Sequence, residues 1–270
     1  MTSQVIKLEQ LSQAFGRQTI LDSLTTEVHS GEVIGLLGLN GAGKTTLLET
    51  LLGFALPSQG QSLVFGESAE RMSANCKSRI GFVPQQDELL DALTGQQNLD
   101  LIASFYANWH GEWIADLANS WQVPLNKRAS QLSLGQRQKL SILAAIGHQP
   151  ALLLLDEPVA SLDPLARRQF LQTLIELISD LNCTVLFSTH IVSDVERIAG
   201  RIWLLKDKKL LLDEPLDSLK DSIVKVGPKA DIAGVELVCE HADGSKIVRG
   251  FNGAGALHLG LEDLFIELCQ

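Results

Sequence analysis

Basic charge is in short supply: 22 Lys and Arg stand against 32 Asp and Glu, a net charge of −10 over 270 residues. A chain so balanced lacks the extended positive footprint that tracks a polyanion, so no nucleic-acid partner is expected. Long apolar runs are missing as well. No stretch approaches the roughly 20 residues of a membrane-spanning helix. Met1 to Gln10 has neither the basic head nor the apolar centre of a secretory leader. If membranes matter to this protein, another chain must supply them. Cysteine is sparse too, with Cys76, Cys183, Cys239 and Cys269 far apart and no Cys-x-x-Cys pair. These are expected to be buried or free thiols in a reducing cytosol, which argues against a disulfide scaffold or a zinc site.

What is present is an ordinary globular composition, 45% hydrophobic and 20% charged, enough for one large core or two small ones. Branched and alternating apolar residues at Val5 to Leu8 and Ile20 to Val28, around the turn Phe15-Gly16-Arg17-Gln18, predict antiparallel strands. They lead into a buried strand at Val33 to Leu37. Ile80 to Val83, Leu152 to Leu155, Thr184 to Phe187 and Ile202 to Leu205 are further buried strands, alternating with helical patterns, which implies an α/β fold around a mostly parallel, covered sheet. Thr94 to Ile146 changes character: helical periodicity, two capping boxes (Thr94 with Gln97, Ser133 with Gln136) and no good strand. This is expected to be a helical insertion at about 86–150. Aromatic residues, 5% of the chain, gather here as Phe105, Tyr106, Trp109, Trp113 and Trp121. They serve either as the core of the small lobe or as a partner-docking face. After about Leu212 a short helix is expected at Asp213 to Lys220. A hairpin around His241-Ala242-Asp243-Gly244 and a final amphipathic helix from about Leu261 follow. The division predicted is 1–222 for the main domain and 223–270 for a small α+β extension.

The chemistry begins at Gly38, where the chain reads Gly38-Leu39-Asn40-Gly41-Ala42-Gly43-Lys44-Thr45-Thr46 between the run Glu32 to Leu37 and the helical Thr45 to Leu52. A glycine-rich loop between strand and helix lets successive backbone N–H groups converge on phosphates, with Lys44 reaching the terminal ones and the Thr45 hydroxyl available to Mg²⁺. The helix adds its positive N-terminal end. Leu152 to Leu155 then ends in Asp156-Glu157-Pro158. Alone, such an acid pair is a strand-terminal charge facing solvent. Beside a phosphate loop, Asp156 is placed to hold the metal and Glu157 to act as general base on water. Thr184 to Ser188 delivers His190 to the same sheet edge, where it can orient that water. A capping box at Ser193 and Glu196 is expected to open the next helix, and Asp163-Pro164 to open Leu165 to Leu181.

In this order the motifs resemble the nucleotide-binding subunit of an ATP-binding cassette (ABC) transporter, over nearly the whole chain. By that resemblance Gln85, after Val83-Pro84, matches the loop that meets the metal or attacking water and heads the segment leading to the helical lobe. Leu132-Ser133-Leu134-Gly135-Gln136 matches the family signature, Ser161-Leu162-Asp163 the next loop, and His190 the switch histidine. Phe15 falls where the family stacks an aromatic residue on adenine. The resemblance implies a phosphate-loop NTPase core with an antiparallel β subdomain, ATP and Mg²⁺ as cofactors, and ATP hydrolysis. It implies a dimer in which Ser133, Gly135, Gln136 and Asp163 face nucleotide bound by the opposite subunit. Leu134 departs from the family's usual glycine. It leaves the Ser133 and Gly135 donors intact and is expected to alter ATP-driven closure slightly.

The implied partners are an integral-membrane transporter subunit and a second nucleotide-binding subunit, most simply an identical one. The implied location is cytoplasmic, peripheral on the inner face of the membrane. The signature and the terminal Leu261-Glu262-Asp263-Leu264-Phe265 resemble bacterial exporters with separately encoded membrane subunits. A soluble ABC ATPase acting on ribosomes or DNA is the rival reading. Such members typically carry tandem cassettes or a long coiled coil, whereas this chain has one cassette and no sustained heptads.

Overall fold

Apolar strands of four to six residues, buried on both faces, organise the molecule. The structure, a computed structural model, describes residues 3–159, 162, 164–181, 183–228, 230–251, 253 and 255–269. Two long strands, β1 (Gln4–Phe15) and β2 (Gln18–His29), precede β3 (Val33–Leu37) and helix α1 (Lys44–Leu51). Then come β4 (Gln59–Val64), β5 (Glu67–Ser68), α2 (Ala74–Lys77), β6 (Ile80–Val83), α3 (Gly95–Ala103), α4 (Gly111–Ser120) and α5 (Leu134–Ile146). The second half contains β7 (Leu152–Leu155), α6 (Pro164–Leu181), β8 (Thr184–Thr189), α7 (Val192–Ile198), β9 (Arg201–Lys206) and β10 (Lys209–Pro215). It closes with α8 (Leu216–Ser222), β11 (Ile223–Val226), β12 (Glu236–Glu240), β13 (Lys246–Arg249), β14 (Leu257–His258) and α9 (Leu261–Cys269).

The central sheet runs β10-β9-β3-β8-β7-β6, parallel throughout except for the antiparallel edge strand β10. Its side chains alternate between two cores. Ile34, Leu36, Leu152, Leu154 and Trp203 face α1 and the antiparallel sheet β2-β1-β4-β5. Leu37, Leu153, Leu155, Phe187 and Leu204 face the opposite layer, which is built from α5, α6, α7 and α9. All four leucines of β7 are fully buried, each worth about 1.5–3 kcal/mol relative to exposure. This is why the strand reads as an unbroken apolar run rather than an alternating one.

The lobe α3–α5 is helical as expected, and both capping boxes form. Thr94 Oγ1 accepts from Gln97 N at 3.1 Å and Ser133 Oγ from Gln136 N at 3.3 Å, each reciprocated by the glutamine. The aromatic cluster divides by burial: Trp121 is packed in the core while Phe105 is exposed.

Two expectations are corrected. The short helix begins at Leu216, not Asp213, because Asp213 to Pro215 continue the β10 ladder against β9. The Asp213 carboxylate holds the chain extended by accepting from Arg201 Nε at 2.7 Å and Trp203 Nε1 at 2.8 Å. Helix α7 has no capping box either. Ile191 is its N-cap without a side-chain bond, and Ser193 lies inside the first turn. Here the Thr189 hydroxyl accepts from the Ile191 N–H at 3.0 Å, so the preceding strand supplies the local acceptor.

In the C-terminal segment the expected hairpin forms as β12–β13 within a sheet ordered β12-β13-β11-β14. Leu261, Leu264, Phe265 and Leu268 of α9 join the same core as Val195 and Ile202. Covering that apolar face is a physical role the segment visibly performs.

Candidate nucleotide site

Lys44 is where the glycine loop becomes a helix. Its N-cap, Gly43, sits at φ 106°, a left-handed backbone that a side chain resists. Gly38 is required for another reason. A Cβ there would lie 2.8 Å from the Leu205 carbonyl, so only glycine lets the loop press against β9. With Gly43 as cap, α1 has no side-chain acceptor at its N-terminus and no acidic residue in its first turn. Its leading N–H groups and positive end are therefore available to an anion. They border a cleft of about 480 Å³ lined by Gln18, Ile20, Asn40, Gly41, Gly43, Lys44, Thr45, Thr46, Gln85 and Glu157.

Lys44 is only 7% exposed. Its ammonium donates to the Gly38 carbonyl at 2.8 Å and the Leu39 carbonyl at 3.3 Å, and pairs with Glu157 Oε1 at 3.0 Å. Glu157 Oε2 meets His190 Nδ1 at 2.9 Å. The two acids leave β7 by different routes. Asp156 is 1% exposed and its N–H donates to the Val83 carbonyl at 2.9 Å. Glu157 has φ 47°, an uncommon backbone for a residue with a side chain. Buried Ser188 ties the pair together: its hydroxyl donates to Asp156 Oδ1 at 2.6 Å and accepts from the Glu157 N–H at 2.8 Å. Three parallel strands, β3, β7 and β8, thus bring their carboxyl ends to one point, where an open α/β sheet presents ligands.

The structure brings together Asn40, Gly41, Gly43, Lys44, Thr45, Thr46, Gln85, Glu157 and, through Glu157, His190. Asp156 lies directly beneath. Gly38, Leu39 and Ala42 complete the loop; the first two supply carbonyls to Lys44. Phe15, half-exposed at the end of β1, is outside the cleft lining, as are Ser133, Gly135 and Gln136 at the start of α5. Ser161 and Asp163 lie outside the described residues. Sequence reasoning missed Ser188, Gln18 and Ile20. Ser188 was legible only as a polar residue closing an apolar strand, and the pleat decides that it points at the acids.

Fold and site together define a phosphate-loop nucleotide hydrolase. A family model described as ABC transporter matches residues 21–160. The ABC transporter ATP-binding protein YtrB of Bacillus subtilis (strain 168) is 31% identical over 222 residues, covering 82% of this chain and 76% of that protein. The bacitracin transport ATP-binding protein BcrA of Bacillus licheniformis is 33% identical over 220 residues, covering 81% and 72%. Among solved structures, an ATP-binding subunit of an ABC transporter superposes with TM-score 0.72 at 27% identity, covering 80% of this chain and 92% of that one. The dimeric bacterial ABC transporter cassette MJ0796 gives 0.69 at 25%, covering 78% and 98%. The chain belongs to the ABC transporter family, as an ATP-binding and ATP-hydrolysing subunit. Among the described residues no helix is long and apolar enough to cross a membrane.

Proposed function

We propose that this chain powers an exporter as one half of a homodimer, held on the cytoplasmic face of the membrane by an integral-membrane partner. One observation carries the catalytic part: a single carboxylate, Glu157, is gripped by Lys44 on one oxygen and His190 on the other, at the mouth of a phosphate-sized loop. ATP would lie along the loop from Asn40 to Thr46, with Phe15 against adenine. Thr45, Gln85 and Asp156 offer the hard oxygen donors that suit Mg²⁺, which supplies neutralisation of the phosphate charge when bound. Lys44 exchanges its carboxylate partner for phosphate oxygens, releasing Glu157 Oε1. Glu157 then accepts a proton from water as the water oxygen bonds to the γ-phosphorus and the bond to the β-phosphate oxygen breaks. His190, keeping Glu157 Oε2, holds the carboxylate in place. The Ser188 hydroxyl fixes the backbone from which that carboxylate projects.

Ser133, Gly135 and Gln136 stand apart from the cleft on the exposed start of α5, an arrangement that a second subunit would complete together with Asp163. The membrane partner has a seat of the right character. A groove of about 430 Å³ between the core and the helical lobe is lined by Phe54, Met72, Phe82, Leu101 and Tyr106, with Glu70 and Glu88 on its edge. The exposure of Phe54 at 72% and Leu101 at 41% supports reading this groove as the place where a helix of the membrane subunit docks. The export direction is supported by relatives named for Nod factor export, in Sinorhizobium fredii, and for linearmycin resistance, in Bacillus subtilis. We divide the chain functionally into 1–222, the motor with its inserted lobe at about 86–150, and 223–270, the accessory segment.

Purification of the tagged Glu157→Gln chain from gently solubilised native cells, with mass spectrometry, tests this reading. A stoichiometric multi-span membrane protein that cross-links to a cysteine placed at Leu101 is expected. Ribosomal or DNA-repair proteins in its place would overturn it in favour of a soluble ATPase.

A further inference from the structure

A second charged network lies between the cleft and the start of α5. Arg137 stands one turn into that helix, its N–H donating to the Ser133 carbonyl at 2.9 Å. Its guanidinium forks onto one carboxylate: Nε donates to Asp87 Oδ2 at 2.8 Å and Nη2 to Asp87 Oδ1 at 2.5 Å. The remaining nitrogen, Nη1, donates to Asp91 Oδ1 at 2.7 Å and to the Ala129 carbonyl at 2.9 Å. Arg137 and Asp87 are mostly buried, at 19% and 12% side-chain exposure, whereas Asp91 is 69% exposed. A two-pronged pair of this kind fixes direction as well as distance.

Asp87 is two residues beyond Gln85, which lines the nucleotide cleft. Gln85 and Gln86 are exposed, but the chain after Asp87 is held from both sides. Asn98 on α3 accepts from Leu90 N at 2.8 Å and donates to the Leu90 and Thr94 carbonyls at 3.2 and 3.0 Å. On the other flank the Ala129 N–H donates to the Leu93 carbonyl at 2.8 Å. Motion at Gln85 therefore meets a clamped segment, and its shortest route onward is the Asp87 carboxylate. From there one guanidinium and one helical turn lead to Ser133.

We propose that Arg137 is a positioning residue that carries a displacement of Gln85, through Asp87, to the N-terminus of α5, where Ser133 and Gly135 face the second subunit. The link rests on the dimeric reading above. A bound nucleotide that shifts Gln85 shifts the fork as a unit, because the planar guanidinium cannot slide along the carboxylate without losing both bonds. Lysine cannot substitute, since a point charge transmits attraction without orientation.

The test uses the full chain in a Glu157→Gln background, with ATP-induced dimerisation followed by light scattering and monomer affinity by a fluorescent ATP analogue. Arg137→Gln and Asp87→Asn are each expected to raise the dimer dissociation constant about tenfold or more, the scale of a typical coupling between sites, with analogue binding within about twofold. Arg137→Lys should recover only part of the loss, and Asp91→Asn, at the exposed contact, should stay within about twofold of the parent. With Glu157 intact, the fork variants should lower kcat while leaving KM for ATP nearly unchanged. Should both fork variants dimerise as the parent does, the link is overturned alone. A parent that stays monomeric with ATP removes the dimeric reading and the link with it. Lost analogue binding in Arg137→Gln would mark a collapsed lobe, and Asp87→Asn then decides.

Discussion

Among the described residues the same three residue types meet twice. At the cleft, Lys44 and His190 hold Glu157 at 3.0 and 2.9 Å. In the C-terminal segment, Lys225 and His241 hold Glu267 at 2.7 and 3.1 Å. Their surroundings separate them. Glu157 leaves a buried parallel strand with φ 47°, and its lysine also binds two carbonyls of a glycine loop bordering a helix N-terminus. Glu267 sits on the last turn of α9, where both oxygens pair with Lys225 of β11 and one also meets His241 at the end of β12. The first trio faces a space that fits phosphates, while the second fastens a helix to a sheet. A Lys-Glu-His set is thus no site in itself. Its chemistry comes from the backbone N–H groups and the sheet edge beside it.

That contrast breaks most sharply under matched substitutions. Glu157→Gln removes the proton acceptor but keeps the shape, so steady-state ATPase assays should show kcat lowered by about 10²–10⁴, the span of general-base contributions. ATP binding should persist and the closed dimer accumulate; normal turnover would take Glu157 out of the base role. Glu267→Gln should do the opposite. It leaves Lys225 and His241 without their counter-charge in a part-buried place, costing about 1–2 kcal/mol, between the values for exposed and for buried pairs. Thermal unfolding should fall by a few degrees with kcat unchanged, and a tenfold loss of activity there would give the second trio more than a fastening role. The smallest effect belongs to Leu134, 51% exposed in the first turn of α5. Leu134→Gly should shift the ATP dependence of dimer closure and its cooperativity by about twofold to fivefold, less than a full site-to-site coupling. Unchanged cooperativity would count against crowding by that side chain.

Legibility followed locality. The phosphate loop was readable because its function is carried by consecutive backbone groups, so glycine spacing, Lys44 and Thr45 suffice to specify it. Buried strands such as Leu152 to Leu155 were readable because burial on both faces leaves no polar alternation. Helix starts at Thr94 and Ser133 were readable because a capping box closes within four residues. The failed cap at Ser193 and the misplaced helix start at Asp213 share one cause: side chains that local rules assign to their own helix are engaged by other elements. The Ser193 hydroxyl accepts from Arg167 Nη2 of α6 at 3.5 Å, and the Asp213 carboxylate accepts from Arg201 and Trp203 of β9.

By itself, then, the sequence determined the class of chemistry, the order of the motifs and the α/β alternation, all properties of contiguous residues and their periodicity. Only the tertiary structure decided that Ser188 would join Asp156 to Glu157 across two strands, that Arg137 would grip Asp87 across 50 positions, and that the last helix would complete the core beside Val195. Those contacts depend on strand order and on which way each pleat and helix face turns. Such information is shared among distant segments and exists in none of them separately.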